Sequence, residues 1–181
     1  MVMRMLEYAM NDGGLSSESQ IQQTKLQIEG LPKPIKGDKK TARRINDEAL
    51  LLFNNNGFES AAKKLTEANR LDPSDVEIIN NLGYSYLKQG NLDLAQQSLI
   101  TVLTMSPGRA TAWSNLGDVL AKKGDISHAV ACFSNAYRFS TNREKTYQLM
   151  KRLNENEDVS TLKQARSITI DWAKKTYPDI N

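Results

Sequence analysis

The 181-residue chain has only one cysteine and one histidine, and it has no long hydrophobic run. A single cysteine excludes an internal disulfide framework, and with one histidine a zinc site would have to recruit carboxylates. A transmembrane helix is not expected, because no stretch of about 18 apolar residues is present. The first residues are interrupted by charge at Arg4 and lack the apolar core of a signal peptide. We therefore expect a cytoplasmic protein, or a periplasmic one if the chain is a fragment.

A strong charge of one sign is also missing, since 24 Lys and Arg stand against 21 Asp and Glu. The resulting net charge of +3 does not by itself indicate a nucleic-acid partner. There is no glycine-rich loop followed by Lys-Ser or Lys-Thr, and no dinucleotide-binding glycine pattern after a strand. We predict that the chain is not an enzyme and has no cofactor, no metal site and no catalytic residues.

What the sequence does contain is a repeat. Pro73 and Pro107 are 107 − 73 = 34 residues apart. The same step relates three further sets of positions: Ala61, Ala95 and Ala129; Ala49, Gly83 and Gly117; and Leu65, Leu99 and Phe133. A fixed period of about 20–50 residues is typical of architectures that stack one supersecondary unit on the next. Small residues at Gly83 and Gly117 would let two helices approach to about 8–10 Å.

The clearest unit is Trp113-Ser114-Asn115-Leu116-Gly117, followed by Ala129, Phe133 and Ala136. It resembles the repeat of the tetratricopeptide repeat (TPR) family, in its bacterial type. The resemblance implies an all-α fold, an α-α superhelix of antiparallel helix pairs. We expect a mobile N-terminal segment and linker at 1–40, three repeats within 41–143 (42–75, 76–109 and 110–143), and C-terminal capping helices at 144–181.

The flanking segments carry their own patterns. Asn11-Asp12-Gly13-Gly14 is a turn signal, and Ser17 to Ile28 predicts a polar helix. A disordered tail is the favoured reading of the methionine-rich start, with a short adhesive helix for a partner as the alternative. Two apolar sets predict the capping faces: Tyr147, Leu149, Met150 and Leu153, then Leu162, Ala165, Ile168 and Trp172.

His128 and Cys132 are four residues apart, so on a helix they share a face and superficially resemble a base and a nucleophile. The repeat places both on the outer side of a second helix, away from the groove that the family uses. We therefore expect a solvent-facing histidine and a half-buried cysteine rather than a catalytic or metal site.

In the TPR family the first helices line a concave face that binds peptide segments, and the resemblance implies the same here. Asn81 and Asn115 are 115 − 81 = 34 apart, and asparagine can both donate and accept toward a peptide backbone. The opposing interpretation is that these asparagines only cap or solvate the surface or follow an Asn-Leu-Gly signature. The predicted groove residues are Asn46, Phe53, Asn80, Asn81, Tyr84, Leu87, Lys88, Asn115, Asp118 and Lys122.

We thus predict a non-catalytic protein-interaction scaffold or adaptor that binds an extended peptide or a partner helix. One alternative is a secretion-type chaperone for a client protein, since the type III secretion chaperones are compact three-repeat TPR proteins. Another is nucleic-acid or membrane-surface binding through the basic stretch from Lys33 to Arg44, although no aromatic residues interleave with it for base stacking. A homodimer through the termini and a spacer within a larger protein also stay open.

Overall fold

The structure of the chain, a computed structural model, describes residues 1–10 and 15–178. Within those ranges it contains helices and no strand. The helices are α1 (Val2–Met10), α2 (Leu15–Glu29), α3 (Lys39–Phe53), α4 (Phe58–Leu71), α5 (Val76–Lys88), α6 (Leu92–Met105), α7 (Ala110–Lys122), α8 (Ile126–Arg138), α9 (Arg143–Glu155) and α10 (Ser160–Thr176). The chain divides into two compact units: unit 1 comprises Met1–Gln27 and Gly108–Asn181, and unit 2 comprises Ile28–Pro107.

The helix boundaries follow the 34-residue step of the sequence. α5 begins at Val76 and α7 at Ala110, which are 110 − 76 = 34 residues apart. The second helices α4, α6 and α8 begin at 58, 92 and 126, so each is again 34 residues after the last. Between the helices of the second and third pairs, Gly90 and Gly124 have φ of +78° and +86°. This left-handed conformation ends a helix and favours glycine, as the sequence predicted.

Unit 2 is built from the pairs α3–α4 and α5–α6, with α4 packed against α5. Its buried core is made of small and aliphatic side chains: Ala42, Ile45, Ala49, Ala61, Ala62, Leu65, Ala68, Ile78 and Leu82. The segment before α3 is fastened to the end of α4, because Gly37 N donates to Asp72 Oδ1 (3.1 Å) and Asp38 N donates to Leu71 O (2.9 Å). A Cβ at Gly37 would lie 1.9 Å from Leu71 O, so the segment approaches too closely for any side chain.

In unit 1, α7 pairs with α8, and α10 packs along α8 and also touches α7. The same pattern of contacts relates α5 to α4 and α3 in unit 2. α10 therefore takes the place that the first helix of a following repeat would occupy, while α9 lies mainly against α10. Gly117 permits the α7–α8 approach, because a Cβ there would lie 2.6 Å from the Phe133 ring.

Two of the predictions for the N-terminal segment meet the structure. α2 (Leu15–Glu29) is the polar helix predicted from Ser17 to Ile28. α1 is a helix rather than the disordered tail we favoured, because Val2, Met5, Leu6 and Ala9 form one apolar stripe that is buried against α8. The turn at residues 11–14 lies outside the described residues, and the division of the chain near residue 40 stays a prediction.

The capping faces are confirmed in part. Tyr147, Met150, Leu162 and Ala165 are buried, and Trp172 packs edge-on against Tyr137 with ring centroids 6.1 Å apart. The prediction is wrong for three aliphatic members, each 43% exposed: Leu149, Leu153 and Ile168. The reason is that α9 is covered along one side only, so residues on its opposite side stay in contact with solvent.

Candidate protein-interaction site

Three rings meet at one end of the α3–α4 pair in unit 2. Phe53 ends α3, Phe58 begins α4, and Tyr84 lies in the middle of α5. Their centroids are 5.4 Å (Phe53 to Tyr84), 5.5 Å (Phe53 to Phe58) and 6.1 Å (Phe58 to Tyr84) apart. All three side chains are half-buried, so this aromatic cluster keeps a solvent-facing edge. Lys88 lies one turn further along α5, with Nζ 5.5 Å from the Tyr84 ring centroid.

The turn between α3 and α4 brings the two phenylalanines together. Gly57 N donates to Leu52 O (2.9 Å), and Asn56 takes a left-handed φ of +54°, which asparagine tolerates better than most residues. On the other side, Gln89 Nε2 donates to Phe58 O (3.1 Å) and fixes the start of α4 to the end of α5. The aromatic cluster is therefore held by backbone contacts as well as by ring packing.

The asparagines predicted to contact a peptide are used differently. Asn81 Nδ2 donates to Asn46 Oδ1 (2.9 Å), and this bond ties α5 to α3. Asn46 is only 1% exposed, so the prediction that it lines a free surface is wrong: it lies between the two helices and orients Asn81. Leu87 and Asn80 are also buried, and Asn80 Oδ1 has no hydrogen-bond partner among the described residues.

The remaining predicted residues lie on α7 in unit 1. Asn115 is half-buried and Lys122 is exposed. Asp118 is held by an ion pair, because Arg166 Nη2 on α10 donates to its carboxylate at 2.7 Å. Burial raises the pKa of Asp118, and the positive charge of Arg166 offsets part of that rise. Asp118 thus contributes to the attachment of α10.

Part of the basic stretch is used within unit 2. Arg43 donates to Asp75 and Glu77 (2.9 Å to each carboxylate), and Arg44 pairs with Glu48. Lys33 Nζ donates to the carbonyl oxygens of Ile28 (2.8 Å) and Thr104 (3.3 Å). These charges are matched by partners of this chain, which weakens the case for a basic surface that attracts an anionic polymer.

His128 and Cys132 do not form a reactive pair. The His128 Nδ1 atom lies 2.8 Å from Asp125 Oδ2, at the start of α8. Cys132 is fully buried rather than half-buried as predicted, since α1, α7 and α10 all pack on α8. Burial raises the pKa of its thiol well above the ordinary value, so the reactive thiolate is disfavoured. Among the described residues, no group of three or more His, Cys, Asp or Glu could hold a metal ion.

Sequence reasoning missed two members of these arrangements. Phe58 belongs to a 34-residue series of apolar first-helix-turn residues, Phe58, Leu92 and Ile126, and this regularity could have identified it. Arg166 gives no such signal, because an arginine within a polar helix normally faces solvent.

Comparison with known proteins agrees with the repeat. Residues 46–95 and 80–143 each match the family model described as Tetratricopeptide repeat, and together they span more than half of the chain. The chain is 25% identical over 123 residues to the chloroplastic tetratricopeptide repeat domain-containing protein PYG7 of Arabidopsis thaliana. That match covers 66% of this chain and 41% of PYG7, so the chain spans less than half of this relative's length.

Solved structures show the same fold. The type III secretion chaperone SycD of Yersinia enterocolitica, in complex with a peptide of the translocator YopD, gives a TM-score of 0.59 at 21% identity and covers 71% of this chain and 94% of that one. The Sgt2 TPR domain of Aspergillus fumigatus gives 0.57 at 14% identity, covering 82% and 88%. The predicted all-α solenoid class is confirmed, and no helix within the described residues is long and apolar enough to cross a membrane. The chain belongs to the tetratricopeptide repeat family, and it is a protein-interaction scaffold built from helix pairs.

Proposed function

We propose that this scaffold binds an extended peptide segment of a partner protein at the aromatic cluster of unit 2. The observation that carries the proposal is the cluster itself: Phe53, Phe58 and Tyr84 meet at centroid distances of 5.4–6.1 Å and each keeps an exposed edge. Half-buried aromatic rings offer a large apolar area at little cost in side-chain entropy, which is why they are enriched at binding hot spots.

In this proposal the surrounding polar groups orient the peptide. Asn81, held by Asn46, faces its amide toward a peptide backbone, which can both donate to and accept from it. Lys88, beside Tyr84, favours an acidic residue or a free carboxylate next to the apolar anchor. On α7, Asn115 and Lys122 stay candidates for further contacts, whereas Asp118 acts through the attachment of α10.

The proposed test compares capture of partners from a native extract by the wild type and by the double variant Tyr84→Ser/Lys88→Glu. The matched control is Leu51→Ser, which removes a 68% exposed leucine from α3. We expect the partner bound by the wild type and by the control to be reduced at least about tenfold in the double variant, a change of about 1.4 kcal/mol. Circular dichroism must show equal helicity for all three proteins.

Two outcomes would contradict the proposal. A partner retained equally by all three proteins would place binding elsewhere on the chain. A partner lost equally by Leu51→Ser and by the double variant would show that the loss does not depend on the aromatic cluster. If Tyr84→Ser lowers the stability, Lys88→Glu alone tests the site without removing a ring.

A chaperone for one client protein is the second candidate. The observation in its favour is the similarity in fold to SycD, whose structure holds a peptide of a translocator. Co-expression gives the test: a client that stays soluble only together with this chain supports the chaperone role, and one that is equally soluble alone contradicts it. In either role we propose a partner protein and no catalysis, with nucleic-acid binding, homodimerisation and the cytoplasmic location as separate, finer proposals.

A further inference from the structure

The outer side of α9 carries an exposed pair of leucines. Leu149 and Leu153 are four residues apart and each is 43% exposed, while Tyr147 and Met150 on the opposite side are buried. Residues four apart on a helix are neighbours, so the two leucines form one apolar strip along α9. A large aliphatic pair of this kind at the surface, framed by polar residues, is typical of an interaction site.

The polar frame of this strip is positively charged. Lys145 and Arg152 are exposed, and neither has an acidic partner among the described residues. Lys151 Nζ lies 5.7 Å from the Tyr147 ring centroid, so it is held at the surface by the aromatic face. Glu144 on the same helix accepts from Gln148 (2.7 Å) rather than from one of these cations. We call Lys145, Leu149, Arg152 and Leu153 the α9 outer face.

A hollow of about 600 Å³ runs along this side of α9, and residues of the outer face form part of its lining. Its lining includes three cations, Lys145, Lys151 and Arg152, against one carboxylate, Glu155, with Leu149 as the apolar member. The volume falls within the range of about 300–1,000 Å³ that is usual for binding clefts. The face therefore combines a concave shape, an apolar strip and an excess of positive charge.

We propose that the α9 outer face is a second docking surface, separate from the aromatic cluster, and that it takes an acidic amphipathic segment of a partner protein. Apolar side chains of that segment cover Leu149 and Leu153, and its carboxylates pair with Lys145 and Arg152. The charge complementarity identifies the occupant, because a basic or neutral segment would leave these two cations without partners against an apolar strip.

Other polyanions fit this face less well. A bilayer surface would need a broad apolar helix face with aromatic anchors, whereas here two leucines are exposed and Tyr147 is buried. A nucleic acid would need exposed aromatic side chains for base stacking, and the hollow has none among its lining residues.

The test uses a fluorescein-labelled helical peptide of about 16 residues, with leucines four apart and flanking glutamates, added to the full chain. A second peptide has lysine in place of every glutamate. Binding is followed by fluorescence anisotropy for the wild type, for Lys145→Glu/Arg152→Glu, and for Leu149→Ser/Leu153→Ser. Lys174→Glu/Lys175→Glu is the matched control, because it makes the same charge change at exposed residues of α10.

We expect the glutamate peptide to bind the wild type and the control with a Kd of about 1–100 µM that weakens as salt is added. Each α9 variant should weaken binding at least about tenfold, and the lysine peptide should not bind.

The proposal is overturned if the glutamate peptide does not bind at about 500 µM protein, if both peptides bind equally, or if the α10 control loses as much as the α9 variants. It is also overturned if vesicles containing anionic lipid bind through the same residues while the peptide does not. Because none of these measurements involves Tyr84 or Lys88, failure here leaves the aromatic-cluster proposal standing, and the reverse also holds.

Discussion

Arg166 connects three parts of unit 1, so its replacement by methionine is the most informative single perturbation. The guanidinium donates to Asp118 on α7 (2.7 Å) and to Glu157 before α10 (2.8 Å), and it lies 5.7 Å from the Phe133 ring centroid on α8. The Arg166 side chain is only 6% exposed. Arg166→Met keeps most of the apolar contact but removes the charge that both carboxylates share.

The magnitude follows from what the substitution leaves behind. Removing one partner of a buried ion pair costs about 3–5 kcal/mol, because the opposite charge stays desolvated. Here the side chains of Asp118 and Glu157 keep 23% and 15% of their exposure, so water can reach both carboxylates in part. We therefore expect the free energy of unfolding of unit 1 to fall by about 3 kcal/mol, at the lower end of that range.

Urea titration followed by tryptophan fluorescence measures this loss selectively. The chain has two tryptophans, and both Trp113 and Trp172 lie in unit 1. The matched control is Lys163→Met, which removes an exposed cation from α10 and should change the unfolding free energy by less than about 0.5 kcal/mol.

A second variant separates the ion pair from general damage to α10. In the Arg166→Met background, Asp118→Asn removes one of the two unpaired charges and should recover about 1 kcal/mol. The reasoning is refuted if Arg166→Met costs less than about 1 kcal/mol, or if Asp118→Asn adds to the loss instead of relieving it.

Three further predictions concern single groups. Gly37→Ala should lower the unfolding free energy by about 2–3 kcal/mol in urea titration, because its Cβ would meet Leu71 O and break two hydrogen bonds. The two buried carboxyls should respond to pH with opposite sign. Hydrogen bonds from Ser74 lower the pKa of Asp72, so its stabilising contribution is present above about pH 4 and lost below, whereas burial raises the pKa of Asp118, so its ionisation costs stability as pH rises above about 4. Urea titrations of the two Asn variants against wild type between pH 3 and pH 7, spanning about the ordinary carboxyl pKa, check both signs. The Cys132 thiol should react with a disulfide reagent only after urea unfolds the chain, and immediate stoichiometric reaction in buffer would contradict its burial.

The helix pairs could be predicted from the sequence because each 34-residue unit repeats the same local signals. Small residues such as Gly83 and Gly117 mark the close approach within a pair, and Gly90 and Gly124 mark its turn. These signals are local, and they recur at a fixed spacing, so several of them agree at once. The fold class therefore follows from residue types and their period alone.

The tertiary contacts outside the repeat could not be predicted in the same way. An apolar stripe shows that a helix has a buried side but not which neighbour covers it, so the attachment of α10 through Arg166 had no signal in the sequence. The same reason explains the exposed Leu149 and Leu153. On α3, Asn46 looks like a surface residue, and only its bond to Asn81 shows that it is buried.

The most direct test of the central claim is site-specific photo-crosslinking from the aromatic cluster. A benzophenone side chain is introduced at Tyr84 in one protein and at Leu51, on α3, in another, and both are irradiated in native extract. The account predicts a covalent partner adduct from position 84 and none from position 51, with the crosslinked partner peptide carrying an apolar residue at the attachment point. Adducts of equal yield from both positions, or from position 51 alone, would contradict the claim that the aromatic cluster binds the partner.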